Sequence, residues 1–226
     1  MNSVTITGAG GVLGRHLTSY LKTTGISVAS VTRASLPGML HVKDYTQTPG
    51  DGILLHLAEE PDRGKVNSLG ESYLKSSVHV VRVLSKRFRK IIYMSSNVVY
   101  GDENDNLCAV DMPVVETDIY SKLKIRNERT VIDSGGCVVR LANLFGVGMS
   151  TNNVLSDIIA QIPGEGPLRV RDDTPIRDFL SVSDAVSALS QIVNRNITGV
   201  VNVGSGIGTS INTLAKLLLA TANQEN

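Results

Sequence analysis

The stretch SVTITGAGGVLGRHL, residues 3–17, decides the fold. Val4–Thr7 is a run of β-branched residues, which suits a short strand. Gly8, Gly11 and Gly14 follow it as G-x-x-G-x-x-G, and Val12–Thr24 then reads as a helix stopped by Gly25. Glycine permits a tight turn with positive φ and lets a pyrophosphate approach the backbone. The first helical turn, with Val12 and Leu13, offers unpaired N–H groups and the positive end of the helix dipole to phosphates. Glycines placed between a strand and a helix in this way point to dinucleotide binding.

The rest of the chain keeps the same rhythm. Ile26–Thr32, Gly52–Leu57, Lys90–Met94, Cys137–Leu141 and Gly199–Val203 read as strands. Ser68–Arg87, Asp118–Ile132, Val154–Ile162, Ser183–Asn194 and Ile211–Ala222 read as helices. Continuous apolar strands alternating with helices predict an α/β fold with a doubly wound, Rossmann-type parallel sheet covered on both faces. Glycine, proline and polar residues dominate 146–175, so residues 1–142 are expected to form the dinucleotide-binding core. Residues 143–226 are then a mixed segment: a small, shortened substrate-facing annex plus returning core elements.

Composition narrows the classes. Hydrophobic residues are 42% and charged residues 19%, so a packed core is affordable within 226 residues. A net charge of +1 and the absence of Trp give no footprint for nucleic acid. No apolar run has membrane-span length, and the glycines interrupt any signal-peptide pattern. His16, His41, His56 and His79 show no metal spacing, and Cys108 and Cys137 form no C-x-x-C pair, so no metal is expected. These readings favour a cytoplasmic protein. His56 and Cys137, each within an apolar strand, read as core residues.

Arg33 closes the second strand, where NAD binders usually carry an acid for the ribose 2′-hydroxyl. Asp44, the first acid in the chain, joins the expected cofactor contacts, but Arg15, Lys22, Arg33 and Lys43 all precede or flank it. A guanidinium suits a 2′-phosphate, so NADP(H) is expected over NAD(H).

Two later stretches carry the chemistry. KIIYMSSNVVYG, residues 90–101, is a strand ending in Ser95-Ser96, and Tyr120 and Lys124 stand four apart on one helix face. A free phenol, with a pKa of about 10, is a poor acid–base group at neutral pH, and a nearby ammonium favours its ionised form. Ser96 can hold a carbonyl or alkoxide oxygen while Tyr120 moves a proton and the nicotinamide moves a hydride.

These residues, with LLHLA at 54–58, VVRLANLFGVG at 138–148, RDFLSVSDAV at 177–186 and VVNVGSG at 200–206, resemble the extended short-chain dehydrogenase/reductase family. The likeness is to its NAD(P)-dependent sugar-nucleotide epimerase/dehydratase branch and covers nearly the whole chain. It implies a catalytic set of Ser96, Tyr120 and Lys124, with Lys124 on the nicotinamide ribose. It also implies Leu57 and Ala58 against the cofactor, substrate contacts from Ser96, Asn97, Asn143, Asn153 and Arg177, and a structural or water-holding Asn67 before the long helix. Arg177 could equally pair with Asp178 or Asp184. The resemblance further implies a homodimer through Ser68–Arg87 and Asp118–Ile132, with Ser72, Val80, Val83 and Leu84 on or near the surface.

Family 4,6-dehydratases place an Asp-Glu pair after the catalytic hydroxyl residue, whereas this chain has Asn97 and Val98, which argues against elimination. Reduction of an NDP-4-keto-sugar is the first expectation, NDP-sugar 4-epimerisation with tightly held NAD the second. A non-catalytic dinucleotide-sensing protein on the same fold is the third. Glu59, Glu60 and Pro61 stand where small or apolar residues are usual and are expected to form a solvated loop. Relatives continue well beyond the position of Asn226, so the substrate lobe is expected to be short or completed by a partner.

Overall fold

The computed structural model describes residues 3–101, 107–162, 164 and 166–224. Strands β1 (Ser3–Thr7), β2 (Ser27–Thr32), β3 (Leu40–His41), β4 (Ile53–His56), β5 (Lys90–Ser96), β6 (Cys137–Leu141) and β9 (Gly199–Val203) form one sheet. Its order is β3-β2-β1-β4-β5-β6-β9, and every pairing is parallel. The chain winds one way from β1 to β3 and the other way from β4 onward. The crevice at that reversal, at the carboxyl ends of β1 and β4, is where such sheets receive ligands.

Alternation along the strands divides the core in two. Ile6, Leu55, Ile92 and Val139 face helices α1 (Val12–Thr23) and α5 (Val182–Asn194), meeting Leu17, Leu21, Val186 and Leu189. Leu54, Ile91, Tyr93 and Val138 face α2 (Arg63–Arg87) and α3 (Ile119–Asp133), meeting Val81, Leu84 and Val131. Leu84 is fully buried in that layer. It therefore leaves the set of expected dimer-surface residues, among which Ser72 is exposed and Val80 and Val83 are half-buried.

Residues 143–226 add a second sheet absent from the sequence reading. Strands β7 (Asn143–Phe145), β8 (Ile176–Ser181) and β10 (Gly208–Ser210) lie in the order β10-β8-β7. Two of them have three residues each, too few to show a period. Helices α4 (Val154–Gln161) and α6 (Ile211–Gln224) pack beneath around Ile158, Ile211 and Leu214.

The start of α3 is clamped. The Asp118 carboxylate accepts from Ser121 N–H (2.8 Å), and Ser121 Oγ accepts from Asp118 N–H (3.0 Å), a capping box. The Asn67 amide donates to Asp118 (2.9 Å), and its carbonyl accepts from Tyr120 N–H (3.0 Å). Arg63 completes the clamp as an ion pair with Asp118 at 2.5 Å. Partial burial opposes the charge on Asp118, but these donors outweigh it and hold the carboxyl down to about 2. Asn67 thus lies inside α2, which begins five residues earlier than Ser68, and the helix is broken behind it at Gly70 (φ 65°). A positive φ there favours glycine.

The register of β5 is read on both of its faces. Ser95 is buried and donates to Glu128, which forms an ion pair with Arg140 (2.7 Å) on β6. Arg140 also donates to Tyr100 OH (2.8 Å). Ser96, one residue on, faces the crevice. His56 is 2% exposed, hydrogen-bonds Thr7 Oγ1 (2.8 Å) and lies against Tyr93, as a core histidine should.

Two measurements follow from this frame. Asp118→Ala should cost about 1–2 kcal/mol in urea unfolding, the usual worth of a helix cap, because α3 loses its cap and Asn67 its partner. Burial lowers the His56 pKa to about 4 in the folded protein. An unfolded histidine titrates near 6.5. Stability from keeping this ring neutral is therefore fully present above about pH 6.5 and is lost as pH falls towards 4. His56→Gln should flatten the stability–pH curve in that window by about 2–4 kcal/mol in total; an unaltered slope would contradict the assignment.

Candidate active site

A cavity of about 1320 Å³ opens at the reversal point of the sheet. It runs from Gly8, Gly11, Val12, Leu13 and Gly14, past Leu57, Ser96, Tyr120 and Lys124, to Asn143, Asn153 and Arg177. A second cavity of about 430 Å³ shares Gly8, Gly11 and Leu57 and continues to Arg33, Tyr45 and Ala58. Elements far apart in the chain thus line two adjoining cavities that share the glycine turn and the end of β4.

The floor at one end is bare backbone. Gly8 has φ +72°, and a Cβ on it would lie 2.6 Å from the Leu57 carbonyl oxygen. A Cβ on Gly14 would overlap the Gly8 carbonyl oxygen and sit 2.8 Å from Ala9 Cα. Gly11 caps α1 with no side chain, leaving the first-turn N–H groups to face the cavity. A narrow cradle of backbone at a helix N-terminus fits a pyrophosphate, and the two cavities beside it are long enough in lining residues to take both halves of a dinucleotide. Arg33 closes the smaller cavity, its guanidinium 5.3 Å from the Tyr45 ring centroid. Asp44 lines neither cavity; its carboxylate caps the short turn Tyr45–Gln47 by accepting from Thr46 N–H (2.7 Å). That hydrogen bond, with little burial against it, lowers its pKa.

At the other end Ser96 terminates β5. Its hydroxyl accepts from Val98 N–H (3.3 Å) and approaches the Asn97 side-chain oxygen at 3.4 Å. Asn97 opens the turn Asn97–Tyr100 and does not line the cavity. Tyr120 and Lys124 are both buried in α3, with the ammonium 5.5 Å from the Tyr120 ring centroid. Asn143 begins β7. Asn153 lines the cavity while capping α4, accepting from Ser156 N–H (3.0 Å) and donating to the Ser150 carbonyl. Arg177 faces the cavity from β8. The acids considered as its partners are engaged elsewhere: Asp178 binds Ser205 and Gly206 N–H groups (2.9 and 2.8 Å), and Asp184 accepts from Ser181.

The expectation for residues 59–61 fails at Glu59. Its side chain is 7% exposed and pairs with Lys124 at 2.7 Å. Only Glu60 behaves like a loop acid, forming an ion pair with Lys65 at 2.5 Å. Sequence pattern missed Glu59 because its partners come from distant elements; the one available signal was its departure from the small residues usual there.

The profile of the NAD dependent epimerase/dehydratase family matches residues 4–204. The UDP-glucose 4-epimerase of Bacillus subtilis (strain 168) is 22% identical, over 99% of this chain and 83% of the relative. Among solved structures, MoeE5 in complex with UDP-glucose and NAD is 26% identical and superposes with TM-score 0.84, over 98% of this chain and 82% of that one. The NAD dependent NDP-hexosamine 5,6-dehydratase TunA, 23% identical, shares the fold with TM-score 0.85 over 99% and 82% of the two chains. With the backbone cradle, the Tyr120–Lys124 pair and a matched segment spanning nearly the whole sequence, the chain belongs to the NAD dependent epimerase/dehydratase family of enzymes.

Proposed function

We propose that the protein reduces an NDP-4-keto-sugar with NADPH, using Tyr120 as the acid. The observation that carries the cofactor half is Arg33, stacked on Tyr45 at the rim of the smaller cavity, at the strand end where an acid would select NAD. The substrate half rests on the family, on the larger cavity beyond Tyr120, and on Asn143, Asn153 and Arg177 lining its far end. Arg177 supplies a fork suited to a diphosphate. Positions 97 and 98 supply no carboxylate, so the segment after Ser96 gives an elimination no acid or base.

The nicotinamide, when bound, supplies the hydride that reaches the keto carbon. Ser96 holds the keto oxygen by hydrogen bond. Tyr120 gives that oxygen its phenolic proton, leaving a sugar hydroxyl and a phenolate. The Lys124 ammonium, 5.5 Å from the ring centroid, offsets the new negative charge until solvent returns a proton. The burial of Tyr120 and Lys124 limits the screening of these charges by bulk water.

A second reading, 4-epimerisation with retained NAD, is favoured by the likeness to UDP-glucose 4-epimerases. It uses the same three residues but takes a proton from the 4-hydroxyl and returns it. The exposed faces of α2 and α3 are the proposed dimer surface, and a monomeric mass in light scattering would count against it.

The two reactions separate in one assay. Stoichiometric loss of 340 nm absorbance with an NDP-4-keto-sugar supports the reductase; interconversion of UDP-glucose and UDP-galactose with no net change in added coenzyme replaces it with the epimerase. Tyr120→Phe should lower kcat by about 10²–10⁴-fold while the coenzyme Kd stays within about threefold. Arg33→Asp should weaken NADPH at least about tenfold and leave NADH nearly unchanged, as loss of a bidentate phosphate contact requires. Equal weakening of both would remove the NADP(H) assignment.

A further inference from the structure

Glu59 lies three residues beyond the end of β4, turns its side chain inward and lines both cavities. Four donors from three elements meet its carboxylate. Oε1 accepts from Ser77 Oγ of α2 (2.6 Å) and Asn127 Nδ2 of α3 (2.7 Å). Oε2 accepts from Tyr93 OH of β5 (2.7 Å) and Lys124 Nζ of α3 (2.7 Å). A carboxylate has roughly four acceptor sites, so this one is saturated. Burying a carboxylate without partners costs several kcal/mol or shifts it to the neutral acid. An acid kept at such a place and so fully engaged has a defined geometry to impose on its neighbours.

The neighbour that matters is Lys124. Its ammonium donates to Glu59 and to the Met94 carbonyl oxygen (2.9 Å). Two of its three hydrogens are thereby fixed in direction, and Lys124 lines the cavity with the third to spare. We propose that Glu59 is a positioning residue for Lys124, anchoring the ammonium beside Tyr120 so that its remaining N–H is offered to the ribose end of a bound nicotinamide coenzyme. This rests on the coenzyme half of the proposed function.

The surroundings isolate the pair. Burial alone lowers the Lys124 pKa; the Glu59 charge more than offsets this and raises it. Burial likewise opposes the Glu59 charge, and Lys124 overcomes it, holding the carboxyl low. His56 on β4 is kept neutral by burial, with a pKa near 4. Burial raises the phenols of Tyr93 on β5 and Tyr73 on α2, and the Glu59 charge adds to both, so they stay protonated. Tyr120 on α3 faces the same ammonium. Glu60, the next acid, is tied to Lys65 and to Tyr73 OH by its backbone N–H.

The direct test needs no coenzyme. The ¹³Cε resonance of Lys124, assigned by its loss in Lys124→Met, is titrated in the wild-type protein and in Glu59→Gln. The expected wild-type midpoint lies above the ordinary lysine value of about 10.4, and the expected midpoint in Glu59→Gln falls to about 8.5 or lower. A wild-type midpoint below the ordinary value overturns the proposal even if Glu59→Gln fails to fold. The second measurement is the NADPH Kd, by fluorescence, between about pH 6.5 and 9.5. Wild type should stay flat, whereas Glu59→Gln should weaken at least about tenfold with rising pH, as Lys124 loses its proton. The double variant Glu59→Gln/Lys124→Met should match Lys124→Met within about twofold. A Glu59→Gln effect that is independent of pH and additive with Lys124→Met means a merely structural carboxylate and overturns the proposal. Wild-type protein that titrates as expected but binds neither NADPH nor NADH overturns the coenzyme reading and spares the anchor itself.

Discussion

The space denied at Gly8 and Gly14 is the constraint on which the site depends. Any Cβ at either position would press into backbone, of Leu57 in one case and of Gly8 and Ala9 in the other. Because none is present, β1, the start of α1 and the end of β4 come together at one point. That meeting creates the backbone cradle, fixes α1 over the sheet and sets the cavity between the reversal point and the second sheet. The apolar layers on either side of the sheet then hold what the glycines allow.

Most of this frame was legible in the sequence because it repeats a strong local signal. β1, α1, β6 and β9 fall within one residue of the expected bounds, since apolar runs with glycine or polar ends leave little choice. The strands of the second sheet were not legible: β7 and β10 have three residues each and β8 reads IRDFLS, with no apolar alternation to betray it. The early start of α2 was hidden by Gly64 and a polar first turn, which argue against helix by propensity, while Asp62 capping Lys65 N–H supplies the start.

The site shows the same division. Gly8, Ser96, Tyr120 and Lys124 were readable because spacing alone places them, on a strand end or one helix face. Asp44, read from its charge, and Asn97 and Leu84, implied by the resemblance, fall outside their expected places. Each is claimed by a local or core contact that only the folded chain reveals. Glu59 is the converse: a charged residue in a loop-like string, drawn inward by donors from α2, β5 and α3. No window of sequence contains all of its partners.

The paired serines of β5 tie the proposed active site to alignment of the sheet. Ser95 reports to the Glu128–Arg140 pair behind the sheet, and Ser96 reports to the cleft in front. Slipping the strand by one position carries one serine into the other's site and brings Met94 or Asn97 into the site left behind, while every other side chain along it changes face. Adding or deleting a single residue within β5 would therefore cost either the buried ion pair its hydroxyl donor or the cleft its hydroxyl, according to the direction of the slip. Two adjacent hydroxyls thus serve different partners, and the alignment of one strand decides which of them each partner meets.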